Sequence, residues 1–211
     1  AFFTASESFE SSQAYYKDIK ARAVSFGRDA GRIGVFPGLR SIVGANEEEA
    51  ERKYQEALAL IRIEDALPML GRAFNDHDFT AYPLDAPFPD VAAFGHDSNR
   101  STAERIVKLA QDENLSLRQI ALRFVSPRRE FVGTAEHVAD SIQRWFDGAA
   151  ADGFILVETL PRQLDAFVEL VVPLLQARGI FRHDYSHGTL RGHLGLDVPE
   201  NRYTSARCLA A

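Results

Sequence analysis

Two short segments carry the residue types best suited to hold a small anionic group. Arg40 follows one apolar run, while Thr159 and Arg162 follow another. A guanidinium can hold an anion with two parallel N–H donors, and a threonine hydroxyl can donate or accept a hydrogen bond. In folds that alternate strands and helices, the working residues lie just past the carboxyl ends of the strands. We therefore interpret Arg40, Thr159 and Arg162 as candidate substrate-binding residues; the alternative is that they are solvent-facing loop charges and a helix cap.

The six histidines make a weaker case for a metal site. His183, His187 and His193 lie close together along the chain, with Asp184 between them, and imidazoles at such gaps can meet at a metal ion. The same segment is rich in glycine and has no apolar helical face that would hold the rings rigidly. We therefore predict no metal ligands. The remaining histidines are interpreted as loop or surface residues: His77, His96 and His137.

Motifs of several common enzyme classes are missing from the sequence. The lone cysteine, Cys208, lies near the end of the chain, and no Gly-x-Ser-x-Gly elbow occurs, which disfavours acyl transfer by a nucleophile and base. Neither a GxGxxG fingerprint nor a GxxxxGK[ST] loop is present, so the two commonest nucleotide-binding loops are excluded from this sequence. The residue types alone assign no catalytic residue and no cofactor-binding residue.

The composition excludes further classes. The 211 residues carry 24 Lys and Arg against 30 Asp and Glu, so the formal net charge is −6, which argues against a nucleic-acid binder. With 45% hydrophobic and 26% charged residues, the sequence matches average globular domains. A single cysteine allows no disulfide within one chain, and we expect a reducing, cytoplasmic location. No run approaches the roughly 18 apolar residues of a membrane-spanning helix.

Apolar periodicity and capping residues predict alternating strands and helices. Strands are predicted at residues 1–4, at 32–37, where the strand ends in a bent backbone at Pro37-Gly38, and at 153–157, where the strand is predicted to be buried on both faces. Residues 41–43 continue the apolar run after the bend. The helices are predicted to begin at Ser6 or Ser8, Asn46, Ser101 with Glu104, Ser116 with Gln119, Thr134 and, with a bend at Pro173, near Leu164. Such alternation predicts right-handed βα units and a parallel sheet.

The segment from Glu64 to Arg100 interrupts this alternation, since prolines and glycines punctuate it without apolar periodicity. We interpret it as an irregular inserted segment. Three strands would leave two open sheet edges and much uncovered apolar surface, which a free-standing domain rarely tolerates. The sequence also opens with Ala1 on an apolar run. We therefore expect it to be part of a longer chain.

Motifs spread over nearly the whole sequence follow one family pattern. They are Lys20-Ala21-Arg22 with Gly27-Arg28-Asp29, Ala81-Tyr82-Pro83-Leu84-Asp85, Phe131-Val132-Gly133-Thr134-Ala135-Glu136-His137, Gly148-Ala149-Ala150-Ala151-Asp152-Gly153-Phe154, Phe181-Arg182-His183-Asp184-Tyr185 and Thr189-Leu190-Arg191-Gly192-His193-Leu194-Gly195-Leu196. In this order they resemble the bacterial-luciferase-like flavin monooxygenases, in the branch that includes nitrilotriacetate and dibenzothiophene-sulfone monooxygenases.

The resemblance implies an α/β fold, namely the C-terminal part of a TIM (β/α)8 barrel with a helical insertion and an extended C-terminal tail. Residues 1–62 would form βα units six and seven, 63–131 the insertion, 132–178 the last helix, strand and helix, and 179–211 the tail. It also implies oxidation of a small organic heteroatom compound with O2 and reduced FMN, which a separate NADH-dependent flavin reductase supplies.

The sequence departs from the family in length, since members are about twice as long. The early strands, which supply most contacts to the flavin ring, have no counterpart here, and no FMN ligand carries over. We expect the chain to need an N-terminal half or to form a homo-oligomer. The alternatives are a truncated, non-catalytic remnant that serves as an assembly or interaction module, and a homologue that binds flavin without oxygenating anything.

Overall fold

The computed structural model describes residues 1–4, 8–91, 100–199 and 201. The strands are β1 (Phe2–Thr4), β2 (Val35–Leu39), β3 (Ile42–Val43), β4 (Val132–Gly133) and β5 (Ile155–Leu156). The helices are α1 (Phe9–Ser25), α2 (Glu47–Ala59), α3 (Ile63–Gly71), α4 (Arg100–Asp112), α5 (Leu117–Val125), α6 (Ala135–Asp147), α7 (Gln163–Ala166), α8 (Val172–Ala177) and α9 (Leu190–His193).

All described strand pairs are parallel. β2 is the central strand of a three-stranded sheet in the order β1-β2-β5, and β3 pairs with β4 in a second, two-stranded sheet. The register pairs Phe2 with Val35 and Gly38 with Ile155. The predicted mixed α/β alternation with parallel strands is therefore confirmed in the described part of the chain. The predicted division into barrel units, insertion and tail stays a prediction.

Local sequence signals fix most helix ends. Ser8 forms a capping box with Ser11 at the start of α1, and Gly27 follows its end at a φ of 69°, which favours glycine. Asn46 caps α2, where its side chain accepts a hydrogen bond from the Glu49 amide at 2.8 Å. The capping box of Ser116 and the cap of Thr134 are also present. These predicted helix starts are confirmed, except that Ser6 lies outside the described residues.

Two predicted boundaries are wrong. Ser101 does not cap a helix, because α4 already includes Arg100, whose Nε donates to Glu104 at 2.8 Å. Pro37-Gly38 does not end a strand, because β2 continues through it to Leu39. A proline lacks the N–H that a ladder needs, yet the parallel pairing of β2 changes partner there, from β1 up to Pro37 to β5 from Gly38 onward.

The segment predicted to be irregular begins with a helix that the periodicity did not indicate. α3 contains Pro68, and its buried residues include Leu67 and Leu70. It packs with α4 and α5 into a helical core that also holds Phe74 and Phe79, whose rings meet edge to face at a centroid distance of 5.4 Å. α3 forms despite its proline because its tertiary burial outweighs the backbone hydrogen bond that Pro68 lacks.

A second core lies between the sheet and the helices α6 and α8. Its largest side chain is Trp145, which is fully buried against Phe131 and Phe154. The last helical stretch is confirmed with its predicted distortion, because α7 and α8 are joined by a π-helical turn over Phe167–Val171, just before Pro173. A proline cannot donate to the preceding turn, and the wider turn accommodates this.

The strand predicted to be buried on both faces is exposed. Ile155 and Leu156 are 37% and 38% exposed, and Val157 after them is 43% exposed. On the other edge of the sheet, Phe3 is 73% exposed. Both edge strands therefore present apolar side chains that the described residues cover only in part.

The amino end of β2 is held by one carboxylate. Asp152 accepts from the Val35 amide at 2.8 Å and from the Tyr16 hydroxyl at 2.9 Å, and it pairs with Lys20 at 3.0 Å. Ser12, fully buried on α1, donates to the Ala150 carbonyl at 2.8 Å. α1 is thus attached to the segment that leads into β5. No helix in the described part of the chain has the length and apolar character needed to cross a membrane.

Replacement of Ser12 by alanine tests this attachment. Ser12→Ala leaves the buried Ala150 carbonyl without its donor, so we expect the free energy of unfolding to fall by about 1–3 kcal/mol. Ser25→Ala, in the exposed last turn of the same helix, is the matched control and should change it by less than about 0.5 kcal/mol. Urea denaturation followed by Trp145 fluorescence measures both. Equal decreases in the free energy of unfolding of the two variants would contradict the role of Ser12 in attaching α1 to this segment.

The pH dependence of stability tests the Tyr16 contact. Burial, and then the hydrogen bond to Asp152, raise the pKa of Tyr16. A raised folded-state pKa contributes stability that is complete below the unfolded pKa of about 10 and is lost as the pH rises through the folded value. We therefore expect the wild type to lose more stability above pH ~10 than Tyr16→Phe does. Tyr15→Phe, on the exposed side of α1, should lose stability with pH as the wild type does. The same loss of stability in the wild type and both variants would contradict the contact between Tyr16 and Asp152.

Candidate active site

A cleft of about 720 Å³ opens at the carboxyl ends of the three strands of the main sheet. Thr4 at the end of β1, Gly38 in β2 and Val157 just after β5 line its floor. The helices α4 and α5 contribute the opposite wall, with apolar residues such as Ile106 and Phe124. Because ligands of parallel α/β folds bind beyond the carboxyl ends of the strands, this cleft is the candidate active site.

Two arginines join the two walls of the cleft. Arg40, which follows β2, donates from Nη1 to the Val125 carbonyl at the end of α5, at 3.1 Å. In the opposite direction, Arg128 donates from Nη2 to the Gly38 carbonyl of β2, at 2.8 Å. The Arg128 guanidinium also lies over the rings of Phe131 and Trp145, at 5.0 and 4.9 Å from their centroids. This reciprocal pair fixes the spacing between sheet and helices.

Among the described residues, the charged lining of the cleft is mostly basic. In that part of the chain one carboxylate, that of Asp112, lines the cleft together with five cationic side chains: Arg40, Arg105, Lys108, Arg123 and Arg128. Arg123 is already paired, since it contacts Glu113 at 2.5 Å. The arrangement can attract and hold an anion, and the apolar side chains beside it can hold an organic skeleton.

Of the three residues that the sequence indicated, the structure brings Arg40 to the cleft. Thr159 and Arg162 are not among the residues that line it. The Thr159 hydroxyl is buried and has no hydrogen-bond partner among the described residues. Arg162 has a φ of 68°, and its side chain, 86% exposed, lies 3.8 Å from Asp165. A substrate-binding role for these three residues stays a prediction.

Sequence reasoning missed the cationic residues of the helical wall. Arg105, Lys108 and Asp112 follow one another at spacings of three and four residues, which places them on one face of α4. This periodicity was a usable signal. Spacing alone does not show which wall the face covers, because the helix follows a segment without apolar periodicity.

The histidines form no metal centre in the described part of the chain, where no group of three or more His, Cys, Asp or Glu residues could hold an ion. In the tail, the His193 ring packs on Tyr185 at a centroid distance of 4.4 Å. His77 lies in a loop, as interpreted, but its ring is half-buried against Phe79 and its Nε2 lies 3.1 Å from the Tyr82 hydroxyl oxygen. His96 and Cys208 lie outside the described residues.

Comparison with known proteins bears out the family resemblance. The chain is 40% identical over 205 residues to N-acetyl-S-(2-succino)cysteine monooxygenase of Bacillus subtilis, covering 95% of this chain and 46% of that protein. It is 39% identical over 204 residues to nitrilotriacetate monooxygenase component A of Aminobacter aminovorans, covering 94% and 44%. The chain thus spans slightly less than half the length of these curated relatives.

A solved structure of a flavin-binding protein is also similar to this chain. The riboflavin lyase RcaE, crystallised with modified FMN and riboflavin, superposes with a TM-score of 0.74 at 26% identity, over 92% of this chain and 42% of the lyase. The profile of the family described as Luciferase-like monooxygenase matches residues 1–152. With a parallel sheet, a cleft at its carboxyl edge and these relatives, the chain belongs to the luciferase-like monooxygenase family.

Proposed function

We propose that this chain is the C-terminal part of a two-component, FMN-dependent monooxygenase with a TIM-barrel fold. The observation that supports this best is the cleft at the carboxyl ends of the three parallel strands, in a chain of the luciferase-like family. The substrate would be a small organic heteroatom compound, oxidised with O2. The supply of NADH to the partner reductase makes the cytoplasm the compartment of the proposed reaction.

The lining of the cleft fits a flavin. FMN has a flat, largely apolar ring system and a negatively charged phosphate, and the cleft offers apolar side chains beside cations. Met69, Leu109 and Phe124 would contact the ring, and when bound the reduced flavin would supply the chemistry that activates dioxygen. The residues of this chain would hold and orient the substrate beside it and exclude water from the cleft.

Two further proteins are part of the proposal. A separate flavin reductase would supply reduced FMN, in keeping with the designation of the Aminobacter relative as a component A. The uncovered apolar residues of β1 and β5 would pack against the N-terminal half of the barrel, or against a second copy of the chain. Arg40, Thr159 and Arg162 would bind the substrate from the ends of their strands.

The proposal predicts weak flavin binding by the chain alone. Because most ring contacts would come from the missing half, titration of FMN followed by fluorescence quenching should show no submicromolar affinity. A chimera with the N-terminal half of the Aminobacter relative fused ahead of Ala1 should bind FMN tightly and consume O2 when a reductase and NADH are present. Submicromolar affinity of the chain alone would overturn the requirement for a second half, and a folded but flavin-free chimera would overturn the enzyme assignment.

The exposed edge strands also favour the second candidate function, a non-catalytic assembly module. The two functions differ in the behaviour of the isolated chain. A severed enzyme should aggregate or exchange its sheet amides rapidly, since each partly exposed apolar side chain forgoes part of the about 1.5–3 kcal/mol that full burial contributes. Sedimentation velocity and hydrogen exchange measure this. A monomer with well-protected β1 and β5 amides would favour an autonomous module instead.

A further inference from the structure

The helical wall of the cleft holds the only methionine of the sequence. Met69 lies on α3 and lines the cleft. Its neighbours on the helix differ from it, because Ala66, Leu67 and Leu70 are buried in the helical core. Met69 is 40% exposed. This residue therefore belongs to the surface of the cleft, although the helix that carries it is otherwise largely buried.

Met69 gives the apolar part of this wall a reactive sulfur. Ile106, Leu109 and Phe124 line the same cleft with hydrocarbon side chains. A methionine fills the same kind of apolar surface, but its thioether is polarizable and is oxidised to a sulfoxide, which is polar and chiral. One oxidation step would thus place a polar oxygen on a wall that is otherwise suited to a flat apolar ligand.

The proposed reaction also supplies an oxidant. Reduced flavin that meets O2 without transferring oxygen to a substrate returns to its oxidised form, and both oxygen atoms leave as hydrogen peroxide. The proposed function places the flavin ring against Met69, so this peroxide would form beside the thioether. Peroxide from any other source reaches the same sulfur through the open cleft, so the modification does not require that the chain binds flavin.

We propose that Met69 is a modification site, at which hydrogen peroxide converts the thioether to methionine sulfoxide and lowers the affinity of the cleft for apolar ligands. The sulfur bonds to one peroxide oxygen, the O–O bond breaks, and the other oxygen leaves as water. The sulfur is oxidised by two electrons and the peroxide is reduced by two. The sulfoxide oxygen is a hydrogen-bond acceptor that an apolar ligand desolvates without satisfying it.

Treatment of the full chain with dilute hydrogen peroxide, followed by tryptic digestion and mass spectrometry, tests the first part. Cleavage after Arg62 and Arg72 releases Met69 on a peptide of its own, so oxidation of Cys208 does not interfere. Met69→Leu combined with Leu70→Met is the matched buried control, because it keeps the composition and moves the sulfur to a fully buried position. Its methionine should gain oxygen at least about tenfold more slowly than that of the wild type.

A second variant separates exposure from the place in the cleft. Met69→Leu combined with Leu60→Met moves the sulfur to a position that is 67% exposed and does not line the cleft. Its methionine should be oxidised within about threefold of the wild-type rate. Binding of the apolar dye 8-anilinonaphthalene-1-sulfonate, followed by fluorescence, should weaken by about two- to fivefold on oxidation of the wild type. It should not change on oxidation of this variant or of Met69→Leu.

Methionine sulfoxide reductase should restore the dye affinity of the wild type, because the sulfoxide lies on the cleft surface and not in the core. Three results would overturn the proposal: oxidation of Met69 no faster than that of the buried control, equal changes in dye affinity in the wild type and the Leu60→Met variant, or an affinity that reduction of the sulfoxide does not restore. If the chimera binds no flavin while Met69 behaves as expected, the proposed enzyme fails and the modification site stands. If the chimera binds FMN and consumes O2 while Met69 resists peroxide, the reverse holds.

Discussion

The parallel pairing of β2 on both of its sides is the constraint on which the rest of the molecule depends. β1 pairs with its first half and β5 with its second half, so all three strands end at the same edge. At the opposite end, Asp152 bonds the Val35 amide and fixes where β2 begins. At the carboxyl edge, Thr4, Gly38 and Val157 line the cleft, which is where ligands bind in folds of this kind.

The spacing of the cleft depends on two hydrogen bonds that run in opposite directions. Arg40 extends from the sheet to the helical wall, and Arg128 extends from the helical side back to Gly38 in the sheet. Each guanidinium satisfies a carbonyl at the end of an element and brings a positive charge to the cleft. The Arg128 guanidinium also lies over the ring faces of Phe131 and Trp145. This cation–π contact stabilises its charge in a partly desolvated position. These two arginines thus contribute both to the basic character of the cleft and to its shape.

The sequence predicted the features that depend on neighbouring residues, namely the helix caps and the helix distortion. The caps at Ser8, Asn46, Ser116 and Thr134 and the distortion before Pro173 need only a few neighbouring residues, and all are observed. Contacts over long separations were not predictable, because spacing along the chain does not report them.

The incorrect predictions have the same cause, since each depends on contacts between residues that are far apart in the sequence. Arg40 and Val125 are 85 residues apart, so no pattern near either residue reveals that they meet. α3 forms despite Pro68 because it is buried against α5, and burial is decided by the whole fold. The apolar run at β5 predicted burial, but Ile155 and Leu156 are exposed among the described residues, because the burial of a strand depends on which elements pack against it. For the candidate site, the strand end at Arg40 was predictable, whereas the helical wall was not.

The helical core and the sheet differ in how complete their burial is among the described residues. The helical core of α3, α4 and α5 buries its large side chains within the described residues, including Phe74, Phe79 and Leu117. The sheet buries β2 but leaves β1 and β5 uncovered. Local stability should therefore be higher on the helical wall of the cleft than on its strand floor, since uncovered strands open more readily. A ligand that contacts both walls would stabilise the floor most, because binding to the folded state alone shifts the equilibrium of the part that opens.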